Sequence, residues 1–224
     1  LDTSAISSYF LPEQDFTLED YKGDYRKSFL ETYAHLTNAF GTKTLAALVQ
    51  LFDDSVESIT LLEDEPIGDA PRFEFIRKGC PSIRVTGDYL CSILSAGTIR
   101  GITLFGRALC AFVSGGYLIV DEIENSFHKN LVDNLRVMFA EPSLNKAQAS
   151  LIFSTHYAQL LDFGERSDNI EIVLRDSSLV QIKNLAKDFH MRSDAVRSLW
   201  FDQNAFGTLT NYDRLRVLKE SLWG

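Results

Sequence analysis

Two adjacent carboxylates, Asp121 and Glu122, follow directly after an apolar run at residues 117–120. Such a run is typical of a strand buried in a parallel sheet, and open α/β sheets bind ligands at the carboxyl ends of their strands. Asp121 could hold Mg²⁺ there through water, and Glu122 could position or deprotonate an attacking water if it reaches a γ-phosphate. Two solvated acids at an ordinary strand end are the plainer alternative.

Two further groups could bind an anion. Ser95 is a good N-cap for a helix predicted from that point, and Gly97 would let a ligand approach the N–H groups of the first turn. His156 follows the apolar run at residues 150–154, and a histidine at a strand end can donate a hydrogen bond to a phosphate oxygen. Taken singly, an ordinary capped helix and a structural histidine explain these residues equally well.

The elements that must position these residues alternate between helix and strand from residue 95 onward. Helices are predicted at residues 95–112, 131–139 and 156–163, and buried strands at 117–120 and 150–154. Elsewhere the pattern predicts a helix at 24–60, hairpins at 72–85 and 170–182, and short helices at 193–200 and 213–222. The alternation indicates an α/β fold with a mostly parallel sheet covered by helices. Three regions follow: a mostly helical subdomain (1–70), an α/β lobe (71–185) and C-terminal helices packed on it (186–224).

Composition narrows the class of protein. The 224 residues, with 45% apolar and 24% charged side chains, fit a soluble globular protein and exclude disorder, collagen and disulfide scaffolds. A net charge of −9 provides no strongly basic stripe over the whole chain. Three cysteines without C-x-x-C spacing indicate neither a disulfide framework nor a zinc site, so a reducing cytoplasm fits best. The most apolar stretch, residues 108–120, is too short to span a bilayer, so we expect no membrane.

The three chemical groups occur in a familiar order. Asp121 follows Ser95 by 26 residues, and His156 follows Glu122 by 34 residues. At residues 85–185 the chain resembles the ABC-type ATPases, with an LSxG-like signature, a Walker B strand with its Glu, and a switch histidine. It looks most like bacterial AAA-type proteins related to the OLD family and the SMC-like ATPases, because the DEIENSFH sequence at residues 121–128 is similar to that branch's D-E-I-E-N-x-x-H.

The resemblance implies a P-loop NTPase fold of the ABC type and a role for each matching residue. Ser95 and Gly97 would be the signature contacts to the γ-phosphate of a nucleotide held by the opposite subunit. Asp121 would be the acid on the Mg²⁺ side, Glu122 the catalytic base and His156 the γ-phosphate sensor. Residues 124–126 would form the D-loop at the dimer interface, and His128 would start the next helix in a structural role.

The function implied by this resemblance is ATP binding and Mg²⁺-dependent ATP hydrolysis. It would drive closure of a head-to-tail homodimer through the signature and D-loop face. Closure would signal to an effector protein or to nucleic acid, since relatives of this branch often act in phage defence or DNA metabolism.

One part of such an ATPase is missing from the sequence. The phosphate-binding loop requires G-x-x-x-x-G-K-[ST], but the Lys43-Thr44 pair is preceded by Thr37 and Thr42 at the two glycine positions. We interpret residues 37–44 as an accidental near-match. The simplest expectation is that the chain, which starts with Leu1, is the C-terminal part of the ATPase and binds ATP weakly or not at all alone.

Two alternatives remain open. A non-hydrolysing regulatory or assembly module could keep the ATPase fold without a phosphate-binding loop. A nucleotide-binding subunit of a transporter is the other, although the acidic surface and the loop after Glu122 argue against it.

Overall fold

Two compact units make up the chain, Leu1–Thr155 and His156–Gly224. The computed structural model describes residues 8–11, 25–67, 70–124, 129–162, 166–176, 179–189, 191, 196–207 and 213–223. The elements of the first unit are β1 (Ser8–Leu11), α1 (Tyr25–Phe52), β2 (Val56–Ile67), β3 (Ala70–Arg77), β4 (Ile83–Thr86), α2 (Gly87–Ile93), α3 (Ala96–Ser114), β5 (Tyr117–Val120), α4 (Lys129–Ala140) and β6 (Ser150–Phe153). Those of the second unit are a 3₁₀ helix (Ala158–Leu161), β7 (Glu171–Asp176), β8 (Leu179–Asn184), α5 (Leu185–Asp188), α6 (Arg197–Asp202) and α7 (Asp213–Trp223).

The first unit holds two small sheets rather than one parallel sheet. β5 pairs with β6 in parallel and with β1 in the antiparallel sense, while β2, β3 and β4 form an antiparallel sheet. The prediction of helices combined with strands is confirmed in this coarse form. The prediction of a mostly parallel sheet is wrong for the described residues, where β5–β6 is the one parallel pair.

Residues 53–67 explain in part why the sheet was predicted wrongly. The helix predicted over 24–60 ends at Phe52, and the Asp53 carboxylate then accepts hydrogen bonds from the backbone N–H and the hydroxyl of Ser55. Such a local side-chain bond offers the backbone an alternative to the helix. The β-branched residues that follow favour a strand. β2 pairs along β3, a pairing that the sequence pattern did not predict. The hairpin predicted at 72–85 is confirmed as β3 and β4.

Burial on β5 alternates. Leu118 and Val120 are fully buried, whereas Tyr117 is 48% exposed, and Ile152 on the neighbouring β6 is 50% exposed. α3 packs against β5, and α4 packs against both β6 and α3. The expectation that both faces of these strands are covered is therefore wrong, because a parallel sheet buries both faces only when helices cover each of them.

The core of the first unit lies between α1 and α3. Added to Gly106 of α3, a Cβ atom would lie 2.4 Å from a Leu36 methyl, and added to Gly101 it would lie 2.3 Å from the Phe52 ring. Glycine at these positions lets the two helices approach closely. Tyr33 of α1 is fully buried there and its hydroxyl donates to the Ile59 carbonyl at 2.7 Å, which ties α1 to β2.

α3 is also long and apolar enough, by length and composition, to cross a membrane. It is the one such helix in the part of the chain that the structure describes, and 56% of its apolar segment is buried inside the protein. The buried core helix of a water-soluble protein can have the same length and composition, so this feature is weak evidence for a membrane span.

The second unit has its own small core. Ile172, Leu185 and Phe206 are buried together, and Trp200 and Phe201 pack against them. The hairpin predicted at 170–182 is confirmed as β7 and β8, but the helix predicted at 156–163 is reduced to one 3₁₀ turn at Ala158–Leu161.

Candidate functional site

Ser95 is the N-cap of α3, as predicted. Its backbone is extended (φ −67°, ψ 151°), and its hydroxyl oxygen accepts a hydrogen bond from the Thr98 N–H at 2.9 Å. The Ser95 side chain is exposed and Gly97 is half-buried, whereas Thr98 and Ile99 of the same turn are buried. This cap uses one of the four N–H groups that a helix N-terminus presents.

A two-glycine turn connects α3 to β5. Gly115 and Gly116 both have positive φ (78° and 89°), and a Cβ on Gly115 would lie 3.2 Å from the Ala147 carbonyl oxygen. The turn joins the end of α3 directly to the start of β5. Ser95 precedes α3 and Asp121 follows β5, so each lies at the end of its element that is far from the turn. The sequence pattern predicted this helix and the strand.

The carboxyl ends of β5 and β6 lie side by side. The parallel register pairs Val120 with Phe153, so the residues that follow each strand are neighbours. The Ser154 hydroxyl donates to the Asp121 carboxylate at 2.5 Å and accepts from the Glu122 N–H at 2.7 Å. We call these residues, 121–123 and 154, the strand-tip site.

Glu122 has an uncommon backbone conformation at the strand-tip site. Its φ of +47° is in the left-handed region, which costs a residue with a Cβ roughly 1–2 kcal/mol. The next residue, Ile123, is fully buried, and its N–H donates to the Ser154 carbonyl at 3.0 Å. These contacts hold the turn in place while Asp121 and Glu122 remain exposed, so both carboxylates are accessible to a ligand.

The donor set at the strand-tip site fits a water-mediated magnesium ion. Mg²⁺ prefers oxygen ligands and keeps several of its waters, so the exposed Asp121 carboxylate at the end of β5 is a suitable group. Across the described residues no group of three or more His, Cys, Asp and Glu could hold a metal. A metal ion at Asp121 would have waters among its ligands.

The other predicted site residues are placed as follows. His156 is the first residue of the second unit, and its side chain is exposed. Glu124, at the start of the predicted D-loop, is half-buried, while residues 125–128, including His128, lie outside the described residues. The grouping of His156 with the acids and the D-loop assignment stay predictions.

The near-match at residues 37–44 lies inside α1. Gly41 interrupts this helix with φ 73° and ψ 168°, a conformation that glycine alone adopts readily, and Lys43 and Thr44 belong to the helical part that follows. A phosphate-binding loop instead joins a strand to a helix. The structure supports the interpretation of this segment as accidental.

Ser154 is the residue whose part in the site the sequence did not reveal. The pattern placed it at the end of a strand, before Thr155 and His156, without a role. Its hydroxyl contacts residues 32 and 33 positions away, which no local pattern specifies. The one available signal was a hydroxyl residue at the tip of the strand predicted next to the acidic one.

The similarity of this chain to known proteins is distant. No protein-family model matches the sequence, and no curated protein matches it. A solved structure from work on ATP-driven dimerization and DNA-stimulated activation of SMC ATPases is similar over 83% of this chain and 99% of its own chain. The TM-score is 0.45 and the identity is 10%. A likeness at this level concerns the coarse fold and does not establish a shared function.

Proposed function

We propose that this chain is the signature and Walker B part of an ABC-type ATPase, which binds ATP and hydrolyses it with Mg²⁺. The observation that carries the proposal is the strand-tip site. Two exposed carboxylates follow β5, and a hydroxyl at the end of the parallel neighbour β6 fixes the first of them. The carboxyl ends of parallel strands are where open α/β sheets bind ligands.

The geometry supports distinct tasks for the two acids. Asp121 is oriented by Ser154, which suits a group that must hold a metal's water in one direction. Glu122 projects from a turn whose backbone is fixed by Ser154 and by the burial of Ile123. A carboxylate held in this way can orient and deprotonate a water that attacks the γ-phosphate. Bound Mg²⁺ would neutralise the charge that develops on the phosphate oxygens.

The remaining parts of the proposal rest on the resemblance and on the exposure of Ser95 at the start of α3. Ser95 and Gly97 would contact the γ-phosphate of a nucleotide in a second subunit, and His156 would sense that phosphate. The protein would then be a head-to-tail homodimer in the cytoplasm, with an effector protein or nucleic acid as its target. Kinship with the OLD-related branch and a role in phage defence or DNA metabolism belong to the same proposal.

The sequence does not contain the phosphate-binding loop that hydrolysis needs, so the activity is proposed for this chain together with such a loop. The same observation favours the second candidate, a non-hydrolysing regulatory or assembly module. Lys43 lies within a helix and does not supply the missing lysine from a strand–loop–helix arrangement.

Glu122→Gln tests the proposed hydrolysis. In a protein that combines this chain with the phosphate-binding loop, we expect the substitution to lower ATP turnover by roughly 10²–10⁴-fold, because it removes the base and keeps the shape of the side chain. Nucleotide-bound dimers should persist longer at the same time. Phosphate release and gel filtration measure the two effects.

Glu57→Gln is a matched control, because Glu57 is an exposed glutamate of β2 in the same unit. It should leave turnover unchanged. If Glu122→Gln turned over ATP as fast as the unaltered protein, Glu122 would have no part in the mechanism.

A further inference from the structure

Ser154 makes four hydrogen bonds with the end of β5. Its backbone N–H donates to the Val120 carbonyl at 3.0 Å, and its carbonyl accepts from the Ile123 N–H at 3.0 Å. Any residue could make these two backbone bonds. The hydroxyl adds the other two, as the donor to Asp121 Oδ1 and the acceptor from the Glu122 N–H.

The hydroxyl meets a requirement that the sheet leaves open. Val120 is the last residue of β5 that is paired in the β5–β6 ladder, so the Glu122 N–H lies beyond it and the ladder provides no acceptor for it. Ser154 Oγ is an acceptor for that N–H, and the bond stabilises Glu122 in its left-handed backbone conformation. The same hydroxyl donates a hydrogen bond to Asp121 Oδ1, which restricts rotation of that carboxylate.

We propose that Ser154 is the positioning residue of the strand-tip site, which sets the Asp121 carboxylate and the Glu122 backbone through one hydroxyl. Its effect on hydrolysis rests on the function proposed above, whereas its effect on the geometry does not. A hydroxyl group is the feature required, because it must donate and accept at once. Ser154→Thr should therefore preserve the geometry, since Ser154 is exposed and leaves room for a methyl group. Ser154→Ala should not preserve it.

Amide hydrogen exchange in the 224-residue chain tests the geometric part without any nucleotide. In Ser154→Ala the Glu122 amide loses its acceptor, so its exchange should accelerate roughly three- to tenfold. The Ile123 amide is an internal control, because it donates to the Ser154 carbonyl, which the substitution keeps. Ser154→Thr should leave both amides within about twofold of the unaltered chain.

Two results would overturn the proposal. Unchanged exchange at Glu122 in Ser154→Ala would show that the hydroxyl does not hold this turn. Equal acceleration at Glu122 and Ile123 would show a general loosening of the end of β6. Ser150→Ala, at the other end of the same strand, is the matched serine control and should leave the Glu122 amide unchanged.

Steady-state kinetics test the link to hydrolysis in a protein that turns over ATP. Ser154→Ala should lower kcat roughly tenfold or more while KM for ATP changes less than threefold, and Ser154→Thr should restore kcat. An equal loss in both serine-to-alanine variants would contradict a specific role. If the unaltered protein hydrolyses no ATP, the proposed function fails, and the exchange experiment still decides whether Ser154 positions the two acids.

Discussion

The α1–α3 interface and the strand-tip site are built on opposite principles within one unit. Between the helices, Gly101 and Gly106 have no side chains, so apolar groups pack closely against them. The buried Tyr33 hydroxyl donates a hydrogen bond to a backbone carbonyl. At the strand-tip site, two charged side chains remain exposed and one backbone is held in a costly conformation.

The difference shows where stability and chemistry are located. Burial of large side chains contributes about 1.5–3 kcal/mol each, so the α1–α3 interface is expected to dominate the stability of the first unit. Backbone conformations such as that of Glu122 cost free energy and occur preferentially at functional sites. The strand-tip site should therefore tolerate substitution with little loss of fold, whereas the interface should not.

The largest expected effect is at Tyr33. Tyr33→Ala should lower the free energy of unfolding by about 3–5 kcal/mol, because it empties a fully buried aromatic position. Urea denaturation measures the change. Tyr89→Ala, at a tyrosine that is 53% exposed, is the control and should cost much less. Equal losses in the two variants would remove the distinction between interface and surface.

The pH dependence of stability sharpens the same comparison. Burial raises the pKa of the Tyr33 hydroxyl far above its ordinary value of 10.0. Above pH 10 the unfolded chain releases this proton while the folded chain keeps it, so stability should fall as pH rises, by at most about 1.4 kcal/mol per pH unit. Below pH 10 this group should have no effect.

Tyr33→Phe isolates that contribution, because it keeps the ring and removes the ionisable group. The alkaline loss of stability should be smaller in this variant than in the unaltered chain when urea denaturation is followed from pH 8 upward. Identical pH profiles would show that Tyr33 ionises normally in the folded state.

The smallest expected effect is at Glu122. Glu122→Gly should be more stable than Glu122→Ala by about 1 kcal/mol, since glycine adopts a positive φ without the cost of a Cβ. Thermal unfolding of the two variants gives the difference. A more stable alanine variant would contradict the left-handed conformation at this position and with it the strain at the strand-tip site.

The parts of the fold that were predicted correctly are local. Ser95 and the glycines at 115 and 116 mark the ends of α3 through their own backbone preferences, and the apolar runs mark β5 and β6. The acids of the candidate site were found because they end such a run. Their position beside the end of β6 follows from the parallel pairing of β5 with β6, which the alternation of elements indicated.

The parts that were missed depend on partners distant in sequence. The helix predicted over 24–60 includes the first residues of β2, because the strand character of β2 is completed by pairing with β3. The break in α1 at Gly41 interrupts an otherwise continuous helical pattern. Ser154 acquires its role from residues more than thirty positions away. Hydrophobic periodicity indicates which face of a helix or strand is buried, but it does not specify such long-range contacts.

Calorimetric titration with ATP and Mg²⁺ tests the proposed function most directly. It compares the 224-residue chain with a protein that combines this chain with a phosphate-binding loop. The account predicts saturable binding by the combined protein and weak or no binding by the 224-residue chain. Absence of binding in both would contradict the ATPase proposal and favour the non-hydrolysing module, and tight binding by the shorter chain would contradict our interpretation of residues 37–44.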